Sequence, residues 1–118
     1  MPYIKSDDAR RQALRNGEPA LTAGELNYQI FYYVKHYYMK NLVVESEIII
    51  KNYIDQFLEQ GKNYQRYNDV TGALVRCYRE CKRRLNIIVH ELIDIMDDYD
   101  DEIAKYEDKK IISNGDVE

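Results

Sequence analysis

The apolar positions between Val70 and Tyr106 fall on one continuous stripe: Val70, Leu74, Cys77, Cys81, Leu85, Ile88, Leu92, Ile95, Tyr99, Ile103 and Tyr106. Every step is three or four residues, the period of one helix face. Neither glycine nor proline occurs between Gly72 and Tyr106. The pattern predicts a single helix over about 70–106, roughly 55 Å long at about 1.5 Å per residue. A globule of this chain length has a radius of gyration of roughly 13 to 14 Å. A rod that long must project or lie against other long helices, and its apolar face needs a partner.

Upstream, Ser6-Asp7-Asp8 caps a short N-terminal helix running to Leu14, which ends at Asn16-Gly17 and Pro19. Thr22 with Glu25 three residues on is a capping box opening a second span. Its face is Leu26, Ile30, Val34 and Tyr37, broadened by Tyr28, Phe31, Tyr32 and Tyr38. Residues 42–50 are ambiguous, because β-branched runs flank Glu45-Ser46-Glu47 and allow a short strand. Ile50, Tyr53, Ile54, Phe57 and Leu58 restore helical spacing up to Gly61. The pattern leaves open whether this region is one bent helix or two.

The fold expected is therefore all-α: an elongated helical hairpin or bundle in a single domain. It comprises an N-terminal helix and linker (1–21), a helical span (22–60), a loop (61–69), the long helix (70–106) and an irregular tail (107–118). Asn68 or Asp69 would cap the long helix.

Charge and composition narrow the function. Seventeen basic against twenty-one acidic residues leave a net charge of -4, which argues against binding a nucleic-acid polymer. No window reaches the roughly 18 to 20 apolar residues of a membrane span, and no basic-then-apolar leader precedes the first helix, so a cytoplasmic location is expected. Cys77 and Cys81 share the stripe and read as small core residues. Further metal ligands are not at hand, since His36 and His90 are isolated in sequence. No metal and no cofactor is expected.

The charge is banded. Lys62 to Arg84 carries seven basic and two acidic residues, whereas Glu91 to Asp108 carries nine acidic and one basic. Two solvated faces would account for the bands. A contact between the basic band of one chain and the acidic band of another would also account for them, and would fix a register. Arg76, Arg79 and Arg83, near tyrosines, would suit phosphates and bases.

Enzyme signatures fail. Glu91-Leu92-Ile93-Asp94 supplies half of the carboxylate pattern of all-α pyrophosphohydrolases, but nothing upstream supplies the other half. Neither histidine has a glutamate three residues before it, as a di-iron bundle requires. Phosphate loops, nucleophile elbows and dinucleotide fingerprints are missing. A carboxylate site from Glu25, Asp69, Glu80 and Asp108, as in a metal-dependent nucleotide hydrolase, is the weakest alternative.

Several ordered blocks carry a resemblance. They are Gly24-Glu25-Leu26-Asn27-Tyr28, the run Asn63 to Leu74, Glu80 with Arg83-Arg84, Tyr106 to Ile111, and Asn114-Gly115-Asp116-Val117. Together they are similar to a family of small proteins of bacteria, archaea and their phages, defined as a domain of unknown function. The chain departs from that pattern in longer stretches between Tyr28 and Tyr64 and between Arg84 and Tyr106. It also carries Lys105 where the pattern has proline. The resemblance implies no catalytic residue. It directs attention to Glu25, Asn27, Asn68, Asp69, Glu80, Arg83, Glu107, Asp108 and Lys109.

Two functions are expected from these residues, neither catalytic. The first is an oligomeric interaction or assembly module, with Tyr28, Phe31, Tyr32, Tyr37, Tyr38, Leu92 and Tyr99 in a homo-oligomeric interface. The second is a binder of an anionic, nucleotide-like small molecule, such as a phage sponge for a defence signal. Arg76, Arg79, Arg83 and Lys109 would hold phosphate there, beside Tyr67, Asn68 and Asp69.

Overall fold

The computed structural model describes residues 9–38 and 43–114, with side chains for 9–38 and 45–105. Five helices run in the order α1 (Ala9–Arg15), α2 (Ala23–Tyr37), α3 (Val43–Leu58), α4 (Tyr64–Glu80) and α5 (His90–Asn114), with a π-helical turn at Cys81–Leu85 after α4. The described residues are all helix and connection, with no strand.

From Val43 on the ambiguous stretch belongs to α3, its first residue lying outside the described residues, and 22–60 contain two helices rather than one. Ile50, Ile54 and Phe57 are fully buried along one face. Burying each such side chain contributes roughly 1.5 to 3 kcal/mol, whereas β-branched residues lose well under about 1 kcal/mol of helix propensity. Burial wins. The cap half of the α2 capping box forms as expected, with Thr22 Oγ1 accepting from the Glu25 backbone N–H at 3.1 Å, whereas Glu25 Oε1 accepts from the N–H of Leu21 at 2.8 Å, one residue before the cap.

α4 starts earlier than the pattern predicted. Its cap is Asn63, whose Oδ1 accepts from the Arg66 N–H at 2.9 Å, so neither Asn68 nor Asp69 caps it. Asn68 is exposed, and Asp69 accepts instead from Gln65 Nε2 at 2.9 Å.

The single long helix over 70–106 is not formed. α4 widens into the π-helical turn, and Asn86 then adopts a left-handed conformation (φ 55°, ψ 38°). That conformation costs most L-residues roughly 1 to 2 kcal/mol, and asparagine less. It lets α5 fold back along α4, bringing the Tyr67 and Tyr99 rings to 6.3 Å. The stripe closes on itself within one chain: Val70, Leu74, Cys77, Cys81, Leu92 and Ile95 are all fully buried. The register slips at the break, where Ile88, on the predicted stripe, is 48% exposed and Val89 is fully buried in its place. The longest dimension is 47 Å, shorter than the predicted rod. Beyond the predicted end, α5 stays helical to Asn114, so 107–114 is no irregular tail.

α4 is central, flanked by α2 and α5, with α1 lying on α2 and α3 closing against α2 and α5. Both cysteines are free and buried in this core. The Cys77 thiol is pushed up by its hydrogen bond to Cys81 and by burial, as suits packing rather than reactivity. No described helix is long and apolar enough to cross a membrane.

Candidate functional site

A buried amide sets the position of α1. Gln29 Nε2 donates to the Leu14 and Glu18 carbonyls, each at 2.9 Å. A second clamp lies beside it, where Arg10 grips Glu25 through Nε at 2.9 Å and Nη2 at 3.0 Å. Two anchors on a seven-residue helix fix its register on α2. Arg11 and Arg15, four residues apart, therefore share one face and stand above a row of rings.

That row is Tyr28, Tyr32 and His36, spaced by four along α2. Tyr28 and Tyr32 are stacked with centroids 6.2 Å apart, and Tyr32 and His36 lie at 4.4 Å. The Arg11 guanidinium is 5.0 Å from the Tyr28 centroid, and that of Arg15 is 4.8 Å from Tyr32. Arg15 Nε also donates to the Tyr28 hydroxyl at 2.6 Å. Across from α1, the π-helical turn delivers Arg84, whose guanidinium lies 4.9 Å from the Phe31 centroid.

Between these walls is a cleft of about 210 Å³, lined also by Gly24, Asn27, Lys35 and Glu80. Among the described residues, Arg11, Arg15, Lys35 and Arg84 bring four cations to it, and Glu80 is the one carboxylate in its lining. The Glu80 side chain is 9% exposed and holds Arg83 at 2.7 Å, with Arg84 at 3.9 Å. The pair thus joins a buried carboxylate to an exposed guanidinium. Guanidinium groups beside ring faces and a deficit of negative charge favour an anion carrying a flat, apolar part.

The residues singled out from sequence divide between this cleft and other places. Arg83 reaches its edge through Glu80, whereas Arg76 and Arg79 are exposed on α4. The Lys109 side chain lies outside the described residues. Tyr67 is at the other end of α4, roughly 20 Å from Glu80 at about 1.5 Å per residue. There, Tyr67 and Tyr99 line a second, acidic cleft of about 470 Å³ with Asp55, Glu59, Glu102 and Lys62. Tyr99 donates to Asp55 Oδ1 at 2.8 Å, and burial with this bond pushes its phenol well up. Among the described residues no group of three or more His, Cys, Asp or Glu could hold a metal ion. Glu25, Asp69 and Glu80 have separate partners, so they build no joint carboxylate site.

The interface residues expected from sequence also separate. Leu92 is wholly inside the core, Phe31 and Tyr38 pack against it, Tyr28 and Tyr32 form the cleft wall, and Tyr37 remains 47% exposed. Arg84 enters the sequence reading only through the Arg83-Arg84 block of the resemblance, and Arg11, Arg15 and Lys35 lie on segments whose pattern speaks of capping and packing. The legible signal was the i,i+4 spacing of Arg11 with Arg15 and of Tyr28 with Tyr32.

The cleft joins two of the blocks that carry the family resemblance: Gly24, Asn27 and Tyr28 on α2 meet Glu80 and Arg84. No curated protein and no solved structure matches the chain. With residues 1–117 matched, the chain belongs to the family described as a domain of unknown function, DUF6899.

Proposed function

We propose that this protein captures a small anionic, nucleotide-like molecule in the cleft between α1, α2 and the π-helical turn, and that it acts by binding rather than catalysis. One observation carries this reading: among the described residues, four cations and a single, already paired carboxylate surround a wall of stacked rings. Charge-assisted hydrogen bonds contribute roughly 1.5 to 3 kcal/mol each, and stacking a base on an aromatic side chain about 1 to 3 kcal/mol. A phosphate and a base on one molecule would use both. The volume sets the scale, because about 210 Å³ falls below the roughly 300 to 1,000 Å³ of ordinary ligand pockets. One base fits inside, with the phosphate at the mouth. Relative to the sequence-based expectation, the arginines change from Arg76 and Arg79 to Arg11, Arg15 and Arg84.

The test is native mass spectrometry of the full chain purified from cells, followed by calorimetric titration with nucleoside monophosphates. The expected result is retained or restored binding of one small anion per chain, lost in Arg84→Ala at unchanged fold. Failure of every nucleotide and of inorganic pyrophosphate to bind would overturn the reading.

A further inference from the structure

The hairpin of α4 and α5 carries two charged stripes of opposite sign. Arg76 and Arg79, three residues apart, are exposed on α4, and Lys82 continues the spacing into the π-helical turn. Asp94, Asp97 and Asp101, spaced by three and four, are exposed on one face of α5. None of these side chains makes an ion pair among the described residues. The ion pairs that the hairpin does form engage its other charges: Arg83 and Arg84 with Glu80, Asp98 with Lys51, and Lys105 with Glu102. Like charges at three- and four-residue spacing repel along a helix, so each stripe gains from an opposite stripe laid alongside.

We infer that the hairpin pairs with a second copy of this chain, the α4 stripe of each copy meeting the α5 stripe of the other. The charges select the occupant. A basic partner would match α5 alone and an acidic one α4 alone, whereas a second copy matches both stripes at once. The stripes are also alike in reach, each roughly 10 Å long at about 1.5 Å per residue. A single two-fold axis makes both contacts, because a surface that carries a feature and its complement closes on itself. Exposed charges hold the pair, so it belongs to low ionic strength: the screening length shrinks from about 30 Å at 0.01 M to about 3 Å at 1 M. The stripes share no residue with the lining of the cleft, and the pairing stands apart from the binding reading.

The experiment is sedimentation velocity of the full chain at about 0.01 M and about 1 M salt, with circular dichroism to verify the fold of each variant. The wild type should sediment as a pair of chains at low salt and as single chains at high salt. Arg76→Glu with Arg79→Glu should weaken the pair at least about tenfold, and so should Asp94→Lys with Asp97→Lys. These reversals move the net charge in opposite directions, so general repulsion between molecules does not explain both losses. An equal mixture of the two variants should pair again, as should one chain carrying all four substitutions. A wild type that stays single at low salt would overturn the inference. A pair that persists at high salt, or that neither reversal weakens, would do the same. Failure of either restoration between folded variants, or mass that grows past two chains, would rule out the two-fold contact. The wild-type salt series keeps the inference open to refutation even where a variant fails to fold.

Discussion

Arg15 Nε donates to the Tyr28 hydroxyl at 2.6 Å, so the last charge of α1 is fastened to the wall that it overhangs. The bond uses Nε, and the Nη groups remain for an anion at the mouth. Tyr28→Phe should therefore loosen Arg15 without removing a ring. We expect nucleotide affinity to fall about three- to tenfold, with a stability change under about 1 kcal/mol because the pair is exposed. Arg15→Lys keeps the charge but loses the planar stack on Tyr32, and should weaken binding comparably. Titration calorimetry beside urea unfolding separates the two effects. A loss of stability with intact binding would mean that Arg15 only staples α1.

A pH dependence follows from Tyr38, whose hydroxyl donates to Glu91 Oε2 at 2.8 Å across fifty-three positions of sequence. Burial and the bond to Glu91 push this phenol up from 10 to about 12. The neutral, protonated form is thus favoured in the fold. Its contribution is fully present below pH 10 and is lost as pH rises through about 12. Tyr38→Phe should lower stability near neutral pH by roughly 1 to 3 kcal/mol, since it strips a donor from the buried Glu91. The variant should also lose part of the decline between pH 10 and 12. Thermal unfolding of both proteins over that range is the measurement, and parallel curves would assign the decline to other groups.

Asn86 is the hinge of the α4–α5 hairpin and the one described non-glycine residue at positive φ. Asn86→Gly should be nearly neutral, because glycine adopts this conformation freely. Asn86→Val should cost roughly 1 to 2 kcal/mol or more, from the clash of a branched side chain in the left-handed region. Equilibrium urea unfolding measures both, and equal stabilities would mean that the turn relaxes on substitution.

That hinge also shows what the sequence carried and what it hid. The helix class, the cap at Thr22, the face of α3 and the burial of both cysteines were legible, because each is a local pattern with one consistent outcome. The break at Asn86 was not, because a three- or four-residue stripe looks the same in one straight helix and in two helices that fold together. Asparagine was the only hint, being the non-glycine residue that most readily turns left-handed. The same ambiguity hid the cleft. Arg84 differs from Arg83 by one position, and only the π-helical turn decides which of them reaches Phe31. Arg11 and Arg15 belong to a short helix whose place on α2 is fixed by Gln29 and Arg10, through contacts no periodicity encodes.

The closure of the stripe changes what self-association would have to use. Leu92 was expected at an interface between chains, yet it is fully buried among the residues of its own chain. Leu92→Ala should cost roughly 2 to 5 kcal/mol of folding stability, as a large-to-small change in a packed core does. It should leave the subunit count of the folded protein unchanged. Sedimentation of wild type and variant, beside their urea unfolding curves, reads both quantities. A variant that lowers the assembled mass while its unfolding free energy holds would return the stripe to the surface between chains. The exposed charges of the two bands would be one remaining means of association, beside exposed apolar side chains such as Tyr37, and screening shortens their reach to about 8 Å at physiological salt and about 3 Å at 1 M. Mass that falls on raising salt, with Leu92 intact, would locate the contact in those bands.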